Sequence, residues 1–342
     1  MITKLTLTNF RNHESFRIET ESRNIALIGP NGVGKTNVLE AISLLNGGTG
    51  LRKDTPAEIA RYNTTDFAVN AELSDGNVLT IHWENGMPGR RAKVNGSFSI
   101  LGELAHYVSI IWLTPREDLL FMDAPSDRRA FFDNLIAGFD AHHVGRTMRL
   151  SKLISERAFA LKNNPDGSWL DIIEENITSV AVAVADARIR WARELANFFE
   201  DGEIHLRGLI EEQLLAGAYP GDIETSYKEY LAENRFLTAD KQVIDGAHKT
   251  DFWVLNRALK RYADKTSTGQ QKILLSKLII ANAELLAAKN PSRPILVLLD
   301  EADGHLDKAH RKALFAALED TPAQVWITGT NPILNAKCLM LN

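Results

Sequence analysis

Cysteine is almost absent from the sequence, since Cys338 is the only one among 342 residues. One thiol cannot form a disulfide within the chain, and it cannot supply the thiolate set of a structural zinc site. Nothing in the composition therefore requires an oxidising compartment, and we expect a cytoplasmic protein.

Long hydrophobic runs are absent as well, because no stretch approaches the roughly 18 consecutive apolar residues of a membrane-spanning helix. The first residues, 2–8, alternate between apolar and polar, as in a strand, and do not resemble the apolar core of a signal peptide. We therefore expect neither a membrane protein nor a secreted one.

An excess of positive charge is also missing. The chain has 39 Lys and Arg against 44 Asp and Glu, a net charge of −5, and a pI near 6.0. Such a balance argues against a protein that binds nucleic acid constitutively. The signs are nevertheless segregated, because residues 200–235 hold nine acidic and three basic residues, whereas residues 241–277 hold eight basic and three acidic ones.

What is present is the composition of a globular protein, 44% hydrophobic and 24% charged, with a length that suits about two domains. Strand patterns dominate the first 115 residues and helical spacing dominates residues 127–200, while the acidic segment 200–235 is predicted to be a solvated connector. The expected strands are 2–8, 25–28, 66–73, 78–83, 108–113, 295–299 and 324–328, and a helix is expected at 308–318.

These patterns predict an α/β fold in two lobes. Lobe I would comprise residues 1–118 and 294–342 around a mixed or parallel sheet, and lobe II, residues 119–293, would be helical with a short arm. If all of residues 127–200 formed one antiparallel helix pair, each helix would have about 37 residues and a length of about 55 Å. This bound excludes a very long coiled-coil arm.

The strongest motif is a phosphate-binding loop of the form G-x-x-x-x-G-K-[ST], between a predicted strand and a predicted helix. Its glycines let backbone N–H groups converge on a phosphate chain, and the following helix directs the positive end of its dipole to the same place. Lys35 would bind the outer phosphates and the Thr36 hydroxyl would bind Mg²⁺. The motif residues are Gly29, Pro30, Asn31, Gly32, Val33, Gly34, Lys35 and Thr36.

A phosphate loop needs an acidic partner, and the apolar strand 295–299 ends directly at Asp300 and Glu301. Asp300 would hold Mg²⁺ through its water shell, and Glu301 would polarise the water that attacks the γ-phosphate. Residues 300–303 also spell the Asp-Glu-Ala-Asp motif of helicases, but too little sequence follows for a second motor domain.

A second phosphate-binding surface is predicted just before an apolar helix at 273–286, where Ser267, Gly269 and Gln270 stand at a helix N-terminus. On its own this segment is only a helix cap. Because one γ-phosphate has no use for two such surfaces from one chain, we expect them to meet across a two-fold dimer interface that exists only while ATP is bound.

Together these motifs resemble the ABC-type head ATPases of the SMC superfamily and, among them, the RecF family. The resemblance extends over the whole chain and is strong in the three motifs above, at the N-terminal segment that contains Arg11 and Asn12, and around residues 115–129 and 246–251. It is weak from about residue 140 to 240. Glu117 and Asp118 stand where the family has a glutamine, and Thr268 where it often has an arginine.

The resemblance implies an ATP-dependent homodimer that binds single-stranded or gapped duplex DNA and works with RecO and RecR to help load RecA. Slow, DNA-stimulated ATP hydrolysis would act as a release switch. Arg11, Asn12 and Asn37 would join the nucleotide site, Ser267, Gly269 and Gln270 would contact ATP in trans, and Asp307 would belong to the loop that joins the two sites.

Residues that contact DNA are harder to assign, because phosphate binding requires clustered cations but no spacing visible in a sequence. The candidates are Lys249, Arg257, Lys260 and Arg261 in the basic segment, and Arg188, Arg190 and Arg193 in the helical region. For each of them a solvated helix face is the alternative. The doublet His142-His143 is expected to be exposed and not to bind metal.

A different kind of function also stays open at this point. The chain could be an ABC-type head of another assembly, anti-phage or SMC-like, for which DNA binding is incidental.

Overall fold

The computed structural model describes residues 1–163, 167–235, 244–301, 308–330 and 336–341. In chain order the strands are β1 (Ile2–Phe10), β2 (His13–Glu19), β3 (Asn24–Ile28), β4 (Asp66–Leu73), β5 (Val78–Glu84), β6 (Arg91–Val94), β7 (Ser97–Ser99), β8 (Ser109–Leu113), β9 (Gly202–Arg207), β10 (Asp251–Asn256), β11 (Arg261–Tyr262), β12 (Ile295–Leu299), β13 (Gln324–Gly329) and β14 (Lys337–Met340).

The α-helices are α1 (Lys35–Leu44), α2 (Pro56–Ile59), α3 (Pro125–Phe139), α4 (His143–Asn163), α5 (Gly167–Leu195), α6 (Leu209–Leu215), α7 (Pro220–Glu233), α8 (Thr268–Lys289) and α9 (Lys308–Glu319), with short 3-10 turns at Leu101–His106, Pro115–Leu119 and Ala263–Lys265. Every strand expected from the sequence is present within two residues of its predicted ends, as is the helix expected at 308–318.

The chain divides into two compact units. The first comprises residues 1–120, 137–141 and 266–342, and the second comprises residues 121–136 and 142–265. The lobes expected from the sequence differ from these units mainly at helix α8. The expectation places α8 in lobe II, whereas in the structure it contacts strands β8 and β12 and belongs to the first unit.

The first unit contains a parallel sheet in the order β14-β3-β13-β12-β8. All residues of β12 and β13 are buried, which explains why these strands are almost continuous apolar runs in the sequence. Because the strands are parallel, the carboxyl ends of β3, β12 and β13 lie at one edge, where open α/β sheets bind their ligands.

A second, antiparallel sheet in this unit has the order β2-β1-β4-β5-β6-β7. Its β4 alternates between buried and half-buried residues, as the sequence predicts for a strand with one face on the core. The buried Gln324 amide, at the start of β13, binds the backbone of β1: its Oε1 accepts from Ile2 N at 2.8 Å and its Nε2 donates to Ile2 O at 2.9 Å. These bonds fix the first strand to β13.

The second unit is mainly helical. Helix α5 carries the apolar seam seen in the sequence, and its residues Ile177, Val184 and Trp191 are fully buried. Helices α3, α4 and α5 have 15, 21 and 29 residues, so residues 127–200 do not form a single helix pair. In the described part of the chain, no helix has both the length and the apolar character that a membrane crossing requires.

The expectation of a solvated connector at 200–235 is wrong. The segment folds as β9, α6 and α7, with Ile210, Ile223 and Leu231 fully buried. Seven of its nine acidic residues are exposed, and their number conceals the helical spacing of the apolar positions.

A buried ion cluster connects the elements of this unit. Arg188 is 2% exposed, and it donates to Asp133 at 2.8 and 2.9 Å, to Glu211 Oε1 at 3.2 Å and to the Thr250 hydroxyl at 2.9 Å. Burial alone would raise the pKa of the Asp133 carboxyl, but the Arg188 guanidinium and the imidazole of His143 lower it well below its ordinary value.

Two sequence-based expectations are corrected by this cluster. Arg188 is buried and paired, so it does not face DNA, and His143 is buried against Asp133 at 2.8 Å instead of exposed.

Replacement of Arg188 by alanine should lower the free energy of unfolding by about 3–5 kcal/mol, because Asp133 and Glu211 would stay buried without their partner. Arg190→Ala is the matched control on the same helix: its half-exposed pair with Asp186 should contribute less than about 1 kcal/mol. Urea denaturation measures both. The difference in the free energy of unfolding between wild type and Arg188→Ala should shrink below about pH 4, where carboxylates of the unfolded chain become protonated. Equal free energies of unfolding at pH 7 would contradict the prediction.

Candidate nucleotide-binding site

The phosphate-binding loop connects β3 to α1 at the carboxyl edge of the parallel sheet. Gly32 and Gly34 have φ values of 87° and 103°, in the left-handed region that favours glycine. A Cβ on Gly34 would lie 2.5 Å from Asn12 Oδ1, so a larger residue would displace the Asn12 side chain as well as strain the backbone. The loop therefore has the tight backbone path that a phosphate cradle needs.

Lys35, the first residue of α1, folds back over this loop. Its Nζ donates to the carbonyl oxygens of Gly29 at 2.7 Å and of Pro30 at 2.8 Å, and the residue is only 8% exposed. A phosphate oxygen within reach of the same ammonium group would form a stronger, charge-assisted bond than either carbonyl. The lysine is thus held where the motif predicts its phosphate contact.

The acidic partner meets the loop directly. Thr36 donates from Oγ1 to Asp300 Oδ1 at 2.8 Å, and Thr328, from β13, donates to the same oxygen at 2.7 Å. The Thr328 hydroxyl also accepts from the backbone N–H of Glu301 at 2.8 Å. Asp300 is 6% exposed, whereas Glu301 is exposed and has a left-handed φ of 49°.

The turn between β1 and β2 covers the loop from one side. Asn12 donates from Nδ2 to Val33 O at 3.0 Å and accepts from Asn37 Nδ2 at 2.7 Å. The His13 ring lies 3.1 Å from Gly34 O. Asn12 and Asn37, which the resemblance assigns to nucleotide binding, thus contact the loop or its helix.

Arg11 has a different environment. Its guanidinium donates to Glu40 at 2.9 Å, to the Glu58 carbonyl at 2.7 Å and also to Asp54, and Glu40 is almost fully buried in α1. In this structure Arg11 therefore stabilises α1 through Glu40, and its contact with a nucleotide stays a prediction.

A cleft of about 600 Å³ opens beside the loop, within the usual size range of small-molecule sites. Sequence reasoning did not assign Arg52 to the site, and of the Thr328–Thr330 segment it noted only that the switch histidine suggested by the family resemblance is missing there. Arg52 donates to Asn37 Oδ1 at 3.1 Å, and only its place after a glycine-rich segment marks it in the sequence. The cleft is lined by Asn31, Gly32, Gly34, Lys35, Thr36, Asn37, Arg52, Glu301, Thr328, Gly329 and Thr330.

The second predicted phosphate surface is the exposed N-terminus of α8. Ser267 is the N-cap: its backbone N–H donates to Gln270 Oε1 at 3.1 Å, and its hydroxyl accepts from Gln270 N at 3.4 Å. Gly269 borders open space. These residues do not line the cleft described above, so the helix cap is observed and the contact in trans stays a prediction.

The segment after β8 is held by two carboxylates at the positions where a glutamine was expected. Glu117 accepts from the Thr114 backbone at 2.7 Å, and burial raises its pKa. Asp118 pairs with Lys272 of α8 at 2.6 Å.

The remaining predicted residues are placed as follows. Asp307 lies outside the described residues. Lys249 is half-buried and 3.6 Å from Asp245, whereas Arg257, Lys260 and Arg261 are exposed where β10 turns into β11.

Comparisons with known proteins extend over almost the whole chain. The family described as the RecF/RecN/SMC N-terminal domain matches residues 1–338. A DNA replication and repair protein RecF from Mesorhizobium japonicum is 36% identical, over 97% of this chain and 92% of that protein. The protein of the same name from Brucella suis is 35% identical, over 97% of this chain and 91% of its own length.

Solved structures agree in fold. The recombination mediator protein RecF-ATPrS in the RecFOR pathway aligns with a TM-score of 0.85 at 22% identity, covering 100% of this chain and 96% of that chain. The corresponding RecF-ATP structure gives 0.82 at 22% identity, covering 100% and 97%.

The fold and the phosphate loop together define an ABC-type ATPase head, a P-loop NTPase with a helical second lobe and a short arm, which confirms the predicted fold class. With relatives of this identity and coverage, the chain belongs to the RecF family, as its motifs indicated.

Thr328→Val should weaken ATP binding in the presence of Mg²⁺ by about 5- to 100-fold, because Asp300 loses one of its two hydroxyl donors and the Glu301 N–H loses its acceptor, a cost of about 1–3 kcal/mol. Isothermal titration with ATP measures the effect. Thr80→Val, which removes a 2.7 Å bond to Asn70 in the antiparallel sheet, is the control. An unchanged ATP affinity in Thr328→Val would show that this hydroxyl does not support the site.

Proposed function

We propose that this protein is an ATP-dependent DNA-binding protein of DNA replication and recombinational repair in the cytoplasm. The observation that carries the proposal is the direct 2.8 Å hydrogen bond between Thr36 of the phosphate loop and Asp300 at the end of β12. It brings the phosphate loop and the acidic end of β12 together, although 264 residues separate them in the sequence. Relatives named DNA replication and repair protein RecF support the cellular role.

ATP would bind in the cleft with its phosphates on the loop formed by residues 29–34, and Lys35 would exchange its carbonyl partners for phosphate oxygens. A hydroxyl and a carboxylate within 2.8 Å of each other offer the oxygen-only ligand chemistry that Mg²⁺ prefers. Thr36 and Asp300 would hold the ion, which when bound would offset phosphate charge. The RecF-ATP structure is in keeping with ATP as the nucleotide.

Glu301 would be the general base for a slow hydrolysis reaction. Its left-handed backbone conformation directs it out of the buried strand, and it lines the cleft beside the loop. Thr328 holds its backbone N–H, so the carboxylate has a fixed origin at the rim of the site. Its task would be to accept a proton from the attacking water.

A homodimer would form while ATP is bound. Each ATP would be held by the loop of one subunit and by Ser267, Gly269 and Gln270 of the other, since this helix N-terminus is exposed and is not part of the cleft. Backbone N–H groups at a helix start favour phosphate. Hydrolysis would remove the shared ligand and release the dimer.

The proposed DNA substrate is single-stranded DNA or duplex beside a single-stranded gap, with RecO and RecR as partners in loading RecA. This part of the proposal rests on the family and on the RecFOR pathway named for the solved relative. ATP binding would act as the on-switch and hydrolysis as the release step.

Glu301→Gln should bind ATP but hydrolyse it at least about 100-fold more slowly, because the base is lost while the phosphate contacts remain. With ATP and Mg²⁺ it should sediment as a dimer and retain gapped DNA, whereas Lys35→Ala should do neither. Sedimentation of wild type with and without ATP and gapped DNA is the reference. If wild type does not bind gapped DNA, or binds it equally well with and without ATP, the result would favour an ABC-type head of another assembly.

Ser267→Arg should bind ATP with wild-type affinity and stay monomeric, because the large side chain blocks the exposed helix start that the second subunit would use. Ser155→Arg, at an exposed position of α4, controls for added charge. Normal dimerisation of Ser267→Arg at saturating ATP would contradict the arrangement in trans.

A further inference from the structure

The three-stranded sheet of the second unit, β11-β10-β9, has one covered and one open face. Phe252 and Val254 of β10 are buried on the covered face, where the Phe252 ring stacks on Phe132 at 4.6 Å. The intervening Trp253 is only half-buried, and so is His205, its partner on β9. Side chains therefore alternate across this sheet as its pleat requires.

Aromatic and cationic groups occupy the open face. Trp253 and Tyr262 meet edge to face with 5.3 Å between ring centroids, and the Tyr262 hydroxyl lies 2.9 Å from His205 Nδ1. The Arg207 guanidinium lies over both rings, 4.2 Å from the centroid of Trp253 and 5.5 Å from that of Tyr262. We call His205, Arg207, Trp253 and Tyr262 the aromatic face.

Positive charge surrounds the aromatic face. Arg207 lies on it, and Arg257, Lys260 and Arg261 are exposed at the hairpin that connects β10 to β11. Carboxylates offset part of this charge. Glu203 lies 3.0 Å from His205 and 3.9 Å from Arg257, while Asp251 is already engaged by Arg128 at 2.8 Å.

We propose that the aromatic face binds single-stranded DNA, with bases stacked on Trp253, Tyr262 and the Arg207 guanidinium and with phosphates on the hairpin cations. The inference deepens the proposed function, on which it rests, by assigning a surface to the single strand of a gapped substrate. Aromatic rings and guanidinium planes on a sheet are the chemistry that unpaired bases recognise.

The geometry favours a single strand over a duplex. Bases in a duplex are stacked on one another and expose only their edges, so rings on a sheet face gain nothing from them. A duplex would use the hairpin cations alone, and its affinity would not depend on Trp253. An unpaired strand can place its bases on the face and its phosphates on the hairpin together.

The test compares binding of an oligothymidylate of about 20 nucleotides with binding of a duplex of equal length, by fluorescence anisotropy with ATP and Mg²⁺. Trp253→Ala should weaken oligothymidylate binding by about 5- to 100-fold and duplex binding by less than about twofold. Trp253→Phe keeps a stacking ring and should stay within about threefold of wild type. Trp169→Ala, an exposed tryptophan of α5, is the matched control and should change neither affinity.

Photocrosslinking of the wild-type chain to an iododeoxyuridine oligonucleotide keeps the test independent of how the variants fold. Crosslinks within residues 202–207 or 251–262 support the inference, and crosslinks confined to other segments overturn it. The inference is also overturned if Trp253→Ala binds oligothymidylate with wild-type affinity, or if it loses affinity equally for oligothymidylate and for duplex. If wild type binds gapped duplex only with ATP but shows no such crosslink, the proposed function stands and this surface assignment fails.

Discussion

The carboxylate of Asp300 is the group on which the geometry of the candidate nucleotide site depends. It follows β12, its backbone N–H donates to Leu113 O of β8 at 2.9 Å, and its side chain accepts from Thr36 and Thr328. One residue therefore joins the carboxyl ends of β8, β12 and β13 to the start of α1. Because the strands are parallel and fully buried, their register cannot slip without exposing apolar residues, and this rigidity holds the carboxylate in place.

The sequence predicts those parts of the fold in which local pattern and burial agree. Strands β12 and β13 are buried on both faces, so their apolar runs are unambiguous, and the seam of α5 repeats every three or four residues over many turns. The segment 200–235 was not predictable in the same way. Its helices are short and bury few residues each, and the charge of their open faces dominates the composition.

In the candidate site, too, the features set by adjacent residues were predictable and those set by distant residues were not. The path of the phosphate loop and the helix cap at Ser267 follow from a few adjacent residues, because glycine conformation and capping are local properties. Whether an arginine faces the cleft is decided by distant residues. Arg11 and Arg52 both contact the buried Glu40, at 2.9 and 3.4 Å, but only Arg52 also lines the cleft, and no spacing rule in the sequence distinguishes the two.

The basic segment shows why charge counted along a sequence is a poor guide to a binding surface. Lys249, Lys265 and Lys272 each lie near a carboxylate, at 3.6, 3.0 and 2.6 Å, so part of the segment's positive charge is offset inside the subunit. The cations that remain prominent are at the β10–β11 hairpin. A subunit that makes few phosphate contacts binds DNA weakly. Because the electrostatic part of the binding free energy scales with the number of phosphate contacts, pairing two subunits would double that part. In the proposed ATP-dependent dimer, an acidic chain would therefore bind DNA more tightly than a single copy does.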